Sequence, residues 1–303
     1  MRILVTGASG FVGAQVVRAL LAQGHDVGAL VSPGSTAARL HEVRDQVTLL
    51  RGDLYDETSL RAAVAAWPPE TCIHLAWYVE PGQYLTSLHN VDALAATLRL
   101  IPILGEVGCR RFVGTGTCFE YDVERGWLRE EGPTQPDTIY AAAKLSLGMV
   151  GRQIAATVGM QFAWARLFYL YGPREDPRRV VPALILSLLA ESDFPATAGE
   201  QVRDYLYLED VASAFAVLAQ TEAEGVFNIA SGLPITMADL LKTTAEIMGR
   251  SEMLKLGAVP YRPWEPRFIC GDNSRLRALG WEPRFTLEEG LWATAAWWKH
   301  QLG

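Results

Sequence analysis

The stretch ILVTGASGFVGAQVVRALL, residues 3–21, constrains this chain more than any other. An apolar run gives way to Gly7, Gly10 and Gly13, and an amphipathic pattern follows at once. Glycine permits a tight turn and lets backbone approach a pyrophosphate closely. The helix start beyond it offers unpaired N–H groups and the positive end of a dipole. Strand, turn and helix in that order is the context that a lone glycine pattern needs. The motif predicts a dinucleotide-binding loop, with Phe11 and Val12 beside the glycines.

The same rhythm continues. Short apolar runs predict strands over 2–6, 26–31, 47–51, 71–76, 111–115 and 161–168. Helical patterns lie between them at 11–23, 57–66, 84–107 and 138–157. Several strands are continuous Val/Ile/Leu runs, as expected where both faces are covered. Such alternation predicts a Rossmann-type, doubly wound parallel sheet. After residue 172 the pattern turns irregular, and a smaller mixed α/β C-terminal lobe is expected. The division is a dinucleotide-binding domain over 1–167 and a substrate-binding lobe over 168–303, with segments of the lobe returning to the first domain.

Composition narrows the class. Net charge is −7, from 27 basic and 34 acidic residues, which lacks the basic face that nucleic-acid binding needs. Four scattered cysteines form no Cys-x-x-Cys pair. Cys72 and Cys109 fall in or beside apolar runs and are expected to pack as small hydrophobes. No secretory signal or 18-residue apolar run appears. A reducing, cytoplasmic setting without a metal or a membrane is expected.

The second strand bears on the cofactor. An acidic residue about 20 positions beyond the loop would bind the adenosine ribose diol. Val31 and Ser32 stand there instead, and Ser35 and Arg39 follow. With no carboxylate to repel a 2′-phosphate, NADP(H) is expected over NAD(H). Ser32, Ser35 and Arg39 are its candidate ligands, although Arg39 would also suit a solvated helix. Asp53 follows the third strand, with Leu54 beside it, where its carboxylate can accept from the adenine amino group.

DTIYAAAKLS places Tyr140 and Lys144 four residues apart, on one helix face. Free tyrosine titrates near pH ~10. A neighbouring ammonium is expected to lower that value and equip the phenol for proton exchange at a carbonyl or alcohol oxygen.

With these motifs in order, the chain resembles the extended short-chain dehydrogenases/reductases over nearly its whole length, in the branch of nucleotide-sugar epimerases, dehydratases and ketoreductases. Gly7, Gly10 and Gly13 match the cofactor loop, Tyr140 and Lys144 the Tyr-x-x-x-Lys pair, His74–Trp77 the fourth-strand segment and Asn90 the helix after it. The resemblance implies that Lys144 also bonds the nicotinamide ribose, and that Leu75 and Ala76 border the cofactor. It puts Thr117 on the family's catalytic hydroxyl, with Thr115 as the competitor. The 4,6-dehydratases carry Thr-Asp-Glu here, whereas this chain has Thr117-Cys118-Phe119. Dehydration is therefore not expected. Glu120 comes one position later, on the other face of a regular strand.

In the second lobe Arg203 matches a diphosphate-binding arginine. Arg262, with Arg267 as its rival, matches a second one, and Glu265 the partner of the nucleoside ribose. Tyr169 replaces the usual Asn of Arg-x-x-Asn-x-Tyr-Gly-Pro. Trp77, Tyr78 and Glu80 follow the fourth strand, where they can flank the sugar; core packing is the other role open to the two aromatics. The expected function is an NADPH-dependent ketoreductase of a dTDP- or CDP-linked 4-keto-6-deoxyhexose. A nucleotide-sugar C4-epimerase holding NAD is the alternative, and a non-catalytic dinucleotide sensor a third. Helices 84–107 and 138–157 resemble the pair that forms a four-helix interface, so a homodimer is expected.

Overall fold

The computed structural model describes residues 1–261 and 265–302. The chain runs β1 (Arg2–Thr6), α1 (Phe11–Ala22), β2 (Asp26–Val31), β3 (Thr48–Arg51), α2 (Glu57–Ala66), β4 (Thr71–His74), α3 (His89–Glu106), β5 (Arg111–Thr117), β6 (Trp127–Leu128), α4 (Ile139–Thr157) and β7 (Gln161–Leu167). It continues through β8 (Tyr169–Tyr171), α5 (Val180–Leu189), β9 (Phe194–Pro195), β10 (Val202–Tyr207), α6 (Leu208–Gln220), β11 (Gly225–Ile229), β12 (Pro234–Thr236), α7 (Met237–Met248), β13 (Leu254–Lys255), β14 (Cys270–Gly271), α8 (Ser274–Arg277) and α9 (Leu287–Leu302).

Seven strands form one sheet in the order β11-β7-β5-β4-β1-β2-β3, and every pairing is parallel. Alternate residues feed two apolar layers, following the two-residue period of a strand. Ile3, Val5, Val27 and Ala29 meet Val16, Val17 and Leu20 of α1 and Phe215 of α6. On the other face Leu4, Leu30, Cys72 and Phe112 meet Leu60, Leu100 and Leu147. The winding reverses between β1 and β4. That reversal opens a crevice at the carboxyl ends of the strands, where ligands of such sheets bind.

Three boundaries differ from the sequence expectations by more than one residue. The fourth strand stops at His74, where the Thr6 hydroxyl takes the Ala76 N–H and shares the Leu75 N–H with the Thr6 carbonyl. The fifth strand runs on to Thr117, in register with Leu167. Its VGTGT run suggests a turn, yet Gly114 and Gly116 serve close packing: a Cβ on either would lie 2.6 Å or less from the Trp164 ring system. The helix expected from 84 starts at His89. The carbonyls of Tyr84 and Leu85 are taken by the Asn90 side chain (2.6 Å) and the Tyr140 N–H (3.1 Å), so they do not enter an α-helical ladder.

The second lobe is built on β8, β10 and β12, with β10 parallel to β8 and antiparallel to β12. Tyr171, Val181, Tyr207, Leu240 and Leu291 fill its core. Meanwhile β11 extends the main sheet beside β7, and Phe215 of α6 belongs to the same core as Val16 of α1. All four cysteines are free and buried. Among the described residues no helix is long and apolar enough to cross a membrane, and no group of His, Cys, Asp and Glu could hold a metal ion.

Candidate active site

The glycine loop lies at the switch point. Gly7 has φ +65°, a left-handed conformation, and a Cβ there would come within 2.7 Å of the Ala76 nitrogen. A Cβ on Gly13 would approach the Gly7 carbonyl oxygen to 2.1 Å. The N-terminus of α1 has no side-chain cap and no acid in its first turn. The N–H groups of Phe11, Val12 and Gly13 have no partner within the helix. Both features fit a pyrophosphate.

The loop is braced from beneath. The Thr6 hydroxyl oxygen accepts from the N–H groups of Leu75 (3.2 Å) and Ala76 (3.3 Å) and pairs with His74 Nδ1 at 2.8 Å. Thr97 spends its hydroxyl proton on the Ala93 carbonyl and stands 3.0 Å from His74 Nε2. The proton of the ring therefore sits on Nε2, and Nδ1 accepts from Thr6. Burial, with the Lys144 charge adding to it, lowers His74 to about 3. His74 is a neutral strut.

At the end of β2, Ser32 is exposed. Arg39 is not simply solvated. Its guanidinium reaches the Ser9 carbonyl of the glycine loop (3.4 Å) and the Arg174 carbonyl (3.3 Å). The Ser35 hydroxyl stands 3.4 Å from that of Ser9. Phe11, Gln15, Arg18, Arg39, Arg174 and Trp297 line an adjoining cleft of about 250 Å³. Asp53 Oδ1 accepts from the Tyr55 N–H at 3.0 Å, so part of this carboxylate shapes its own turn. Leu54 is half-buried beside it.

Thr138 caps α4 by accepting from the Ala141 N–H at 3.1 Å, which puts Tyr140 and Lys144 in the first turns of the helix. Of the two competing threonines, Thr115 gives its hydroxyl to the His74 carbonyl at 2.7 Å. Thr117 lies beside the Tyr140 phenol and favours its ionised form. The fifth strand thus directs one threonine at its neighbour and the other into the site.

The ionisation differs from the sequence expectation. Burial pushes the Tyr140 phenol up, Tyr84 adds to that, and Thr117 opposes it. The Lys144 ammonium donates to the Thr115 carbonyl at 2.8 Å and lies 3.8 Å from the centroid of the Trp77 ring. Burial lowers Lys144 to about 7, against the pull of Glu120. Desolvation thus prevails over the groups that would acidify the phenol.

Glu120 is withdrawn from this chemistry. It is fully buried, and its carboxylate accepts from Arg166 Nε (2.7 Å), the Trp164 indole (3.0 and 3.1 Å) and the Thr117 N–H (2.8 Å).

Towards the second lobe, Arg203 is 3% exposed and paired with Glu265 at 3.1 Å. The Tyr169 ring lies 5.4 Å from the Arg203 guanidinium and 6.3 Å from Phe119, so it bridges the two lobes. Arg267 is exposed, and Arg262 lies outside the described residues. Trp77 has turned towards Lys144, and its indole donates to Asn90 at 2.8 Å. Tyr78 packs on His89 and bonds Gln83, while Glu80 pairs with Arg178 at 2.6 Å; neither of these contacts reaches Tyr140.

Two residues escaped the sequence reading. The Tyr84 ring stands edge-on to Tyr140 at 4.9 Å, under the Arg179 guanidinium. Glu175 is buried, has one oxygen without a partner among the described residues and is raised by burial to about 8. Glu175 lies in GPREDPRR, whose charges read as a solvated loop. Nothing in that pattern signals which acid is buried.

A glycine loop at a switch point, with a phenol and an ammonium held at its rim, defines an oxidoreductase of the short-chain dehydrogenase/reductase type. The chain belongs to the NAD dependent epimerase/dehydratase family, whose profile matches residues 3–230. The CDP-abequose synthase of Salmonella typhimurium is 26% identical over 95% of each chain. A dTDP-glucose 4,6-dehydratase of Streptomyces griseus is 29% identical over 99% of this chain and 94% of its own. The Thermus thermophilus UDP-glucose 4-epimerase, solved in complex with NAD, is 26% identical and superposes with a TM-score of 0.86 over 99% of each chain. The relatives are nucleotide-sugar enzymes, and dependence on NAD(P) follows from the family.

Proposed function

We propose that the protein is an NADPH-dependent ketoreductase acting on a nucleotide-linked 4-keto-6-deoxy sugar, with a dTDP- or CDP-hexose as substrate. The observation that carries this reading is a buried Tyr140 in the first turn of α4, kept protonated by burial, with Thr117 at the end of β5 beside it. Ketone reduction needs a proton donor beside the carbonyl oxygen. Elimination of water needs an acid and a base behind the threonine. Cys118 and Phe119 supply neither, and Glu120 is committed to Arg166.

The cofactor, when bound, supplies the hydride. Phe11, Val12 and Gly13 hold its pyrophosphate, and Lys144 its nicotinamide ribose. Ser35 and Arg39 hold a 2′-phosphate, a reading supported by Arg39 lying on the Ser9 carbonyl and by the absence of a carboxylate at Val31 and Ser32. Thr117 polarises the keto oxygen and Tyr140 protonates it. Arg203 and Glu265 separate as the diphosphate takes the guanidinium and the nucleoside ribose the carboxylate. The CDP-abequose synthase relative supports the CDP arm of the substrate class. A cytoplasmic homodimer joined through α3 and α4 completes the reading.

The test is oxidation of NADPH and NADH against a panel of nucleotide 4-keto sugars. Consumption of NADPH in proportion to product supports the reductase. The T. thermophilus relative with bound NAD keeps a C4-epimerase as the second reading. That reading requires tightly retained NAD and no net turnover.

A further inference from the structure

We propose that Trp77 is a positioning residue for Lys144: its indole face stands in for solvent over the buried ammonium and leaves one N–H direction for the cofactor ribose. The inference rests on the dinucleotide reading of the site, but not on which sugar is reduced.

An ammonium has three N–H groups. One points to the Thr115 carbonyl at 2.8 Å, and the Trp77 ring covers a second direction at 3.8 Å. With Lys144 only 2% exposed, water cannot readily replace either partner. The ring is itself fixed. Its N–H donates to Asn90 Oδ1 at 2.8 Å, and the Asn90 amide nitrogen donates to the carbonyls of Tyr84 (2.6 Å) and Ser87 (2.8 Å). Those two bonds orient the fully buried amide, leaving only its oxygen to face the indole. The β4–α3 connection, the start of α3 and β5 therefore converge on one ammonium.

The partners of Lys144 are a carbonyl and a ring, neither of them charged. The ionisable groups around it are His74 from β4, Tyr140 on its own helix and Glu120 beyond β5. His74 is neutral, Tyr140 protonated, and Glu120 is bonded to Arg166. An aromatic face attracts a cation most strongly where both are desolvated. That attraction favours the protonated form of Lys144 against the burial that lowers it. As pH rises past about 7 the group loses its charge and one N–H donor, which weakens its hold on the ribose.

The experiment measures the dissociation constant of NADPH from pH 6.5 to 9.5 for the wild type, Trp77→Phe and Trp77→Leu. Wild-type binding should weaken as pH rises through the lysine titration. In Trp77→Leu that alkaline limb should lie about one unit lower, giving about tenfold weaker binding near pH 8. Trp77→Phe keeps a ring and should stay within about half a unit of the wild type. A Leu limb that coincides with the wild type overturns the proposal, and so do equal shifts in Phe and Leu. If Trp77→Leu fails to fold, Trp77→Met, unbranched and without a ring, takes its place under the same criteria. A wild type that binds no dinucleotide at any pH overturns the reading of the site itself, a failure distinct from the others.

Discussion

The carboxylate of Glu120 receives Arg166 Nε at 2.7 Å, with the two side chains 0% and 5% exposed. Removing one member of such a buried pair leaves the other uncompensated. Glu120→Ala should therefore cost about 3–5 kcal/mol. The melting temperature should fall by more than about 5 °C, measured by calorimetry. A variant that melts within about 2 °C of the wild type would show that the pair does not hold the end of β5 in place.

The two threonines should separate cleanly. Thr117→Val removes the hydroxyl beside Tyr140 and should lower kcat by about 10–100-fold, with KM for the sugar changed much less. Thr115→Val loses the bond to His74 and should cost about 1 kcal/mol of stability, with kcat within about threefold. Tyr140→Phe should lose about 10²–10⁴-fold in kcat. Steady-state kinetics on the three variants decides; the opposite ranking of the threonines would return the catalytic role to Thr115.

Arg39 bears on cofactor choice. Arg39→Ala should raise KM for NADPH about 10–100-fold, the worth of a charge-assisted contact. KM for NADH should stay nearly constant. Equal losses for both cofactors would assign Arg39 to the glycine loop alone.

Glu175 makes stability depend on pH in an unusual direction. Its carboxyl is raised by burial from the usual range near 4.5 to about 8. The folded state holds this proton where the unfolded chain has released it, so stability falls as pH rises from about 4.5 to 8. Glu175→Gln removes that dependence and should stabilise the protein at pH 7 by about 3 kcal/mol. Urea titrations of both proteins at pH 5 and pH 8 provide the comparison. Parallel pH profiles would mean that Glu175 ionises freely.

Exposed apolar residues lie on the two helices expected to dimerise. Val91 on α3 is 51% exposed, and Met149 and Val150 on α4 are 64% and 44% exposed, with Leu88 just before α3 at 72%. Burying such a patch is the ordinary reason for it to exist. The wild type should sediment as a dimer, and Met149→Glu with Val150→Glu as a monomer. A monomeric wild type at micromolar concentration would remove the homodimer.

The glycine loop, the first six parallel strands and the Tyr140–Lys144 helix were legible in sequence, because each depends on local spacing. What escaped depends on partners distant in the chain. Thr115 and Thr117 share a strand face, and only the His74 carbonyl 41 positions away takes the first out of the site. Trp77 reads in sequence as a flank of the sugar or as core packing, and the cation that meets its ring is 67 residues further on. Tyr140 was expected to be acidified by its helical neighbour, but burial prevails, and a residue pair cannot report its own burial. Glu175 looked like one charge among several in a polar loop.

The placement of β11 has a consequence for how this protein can be cut. The strand bordering β7 comes from residues 225–229, and α6, at 208–220, shares its packing with α1. A fragment ending at 167 would bare one rim of its sheet to intermolecular pairing and would lose the apolar cover over Val16 and Val17. Such a fragment should precipitate rather than fold. The two lobes are not separable pieces: the main sheet is completed late in synthesis by a strand that follows the second lobe's β8 and β10 in the chain.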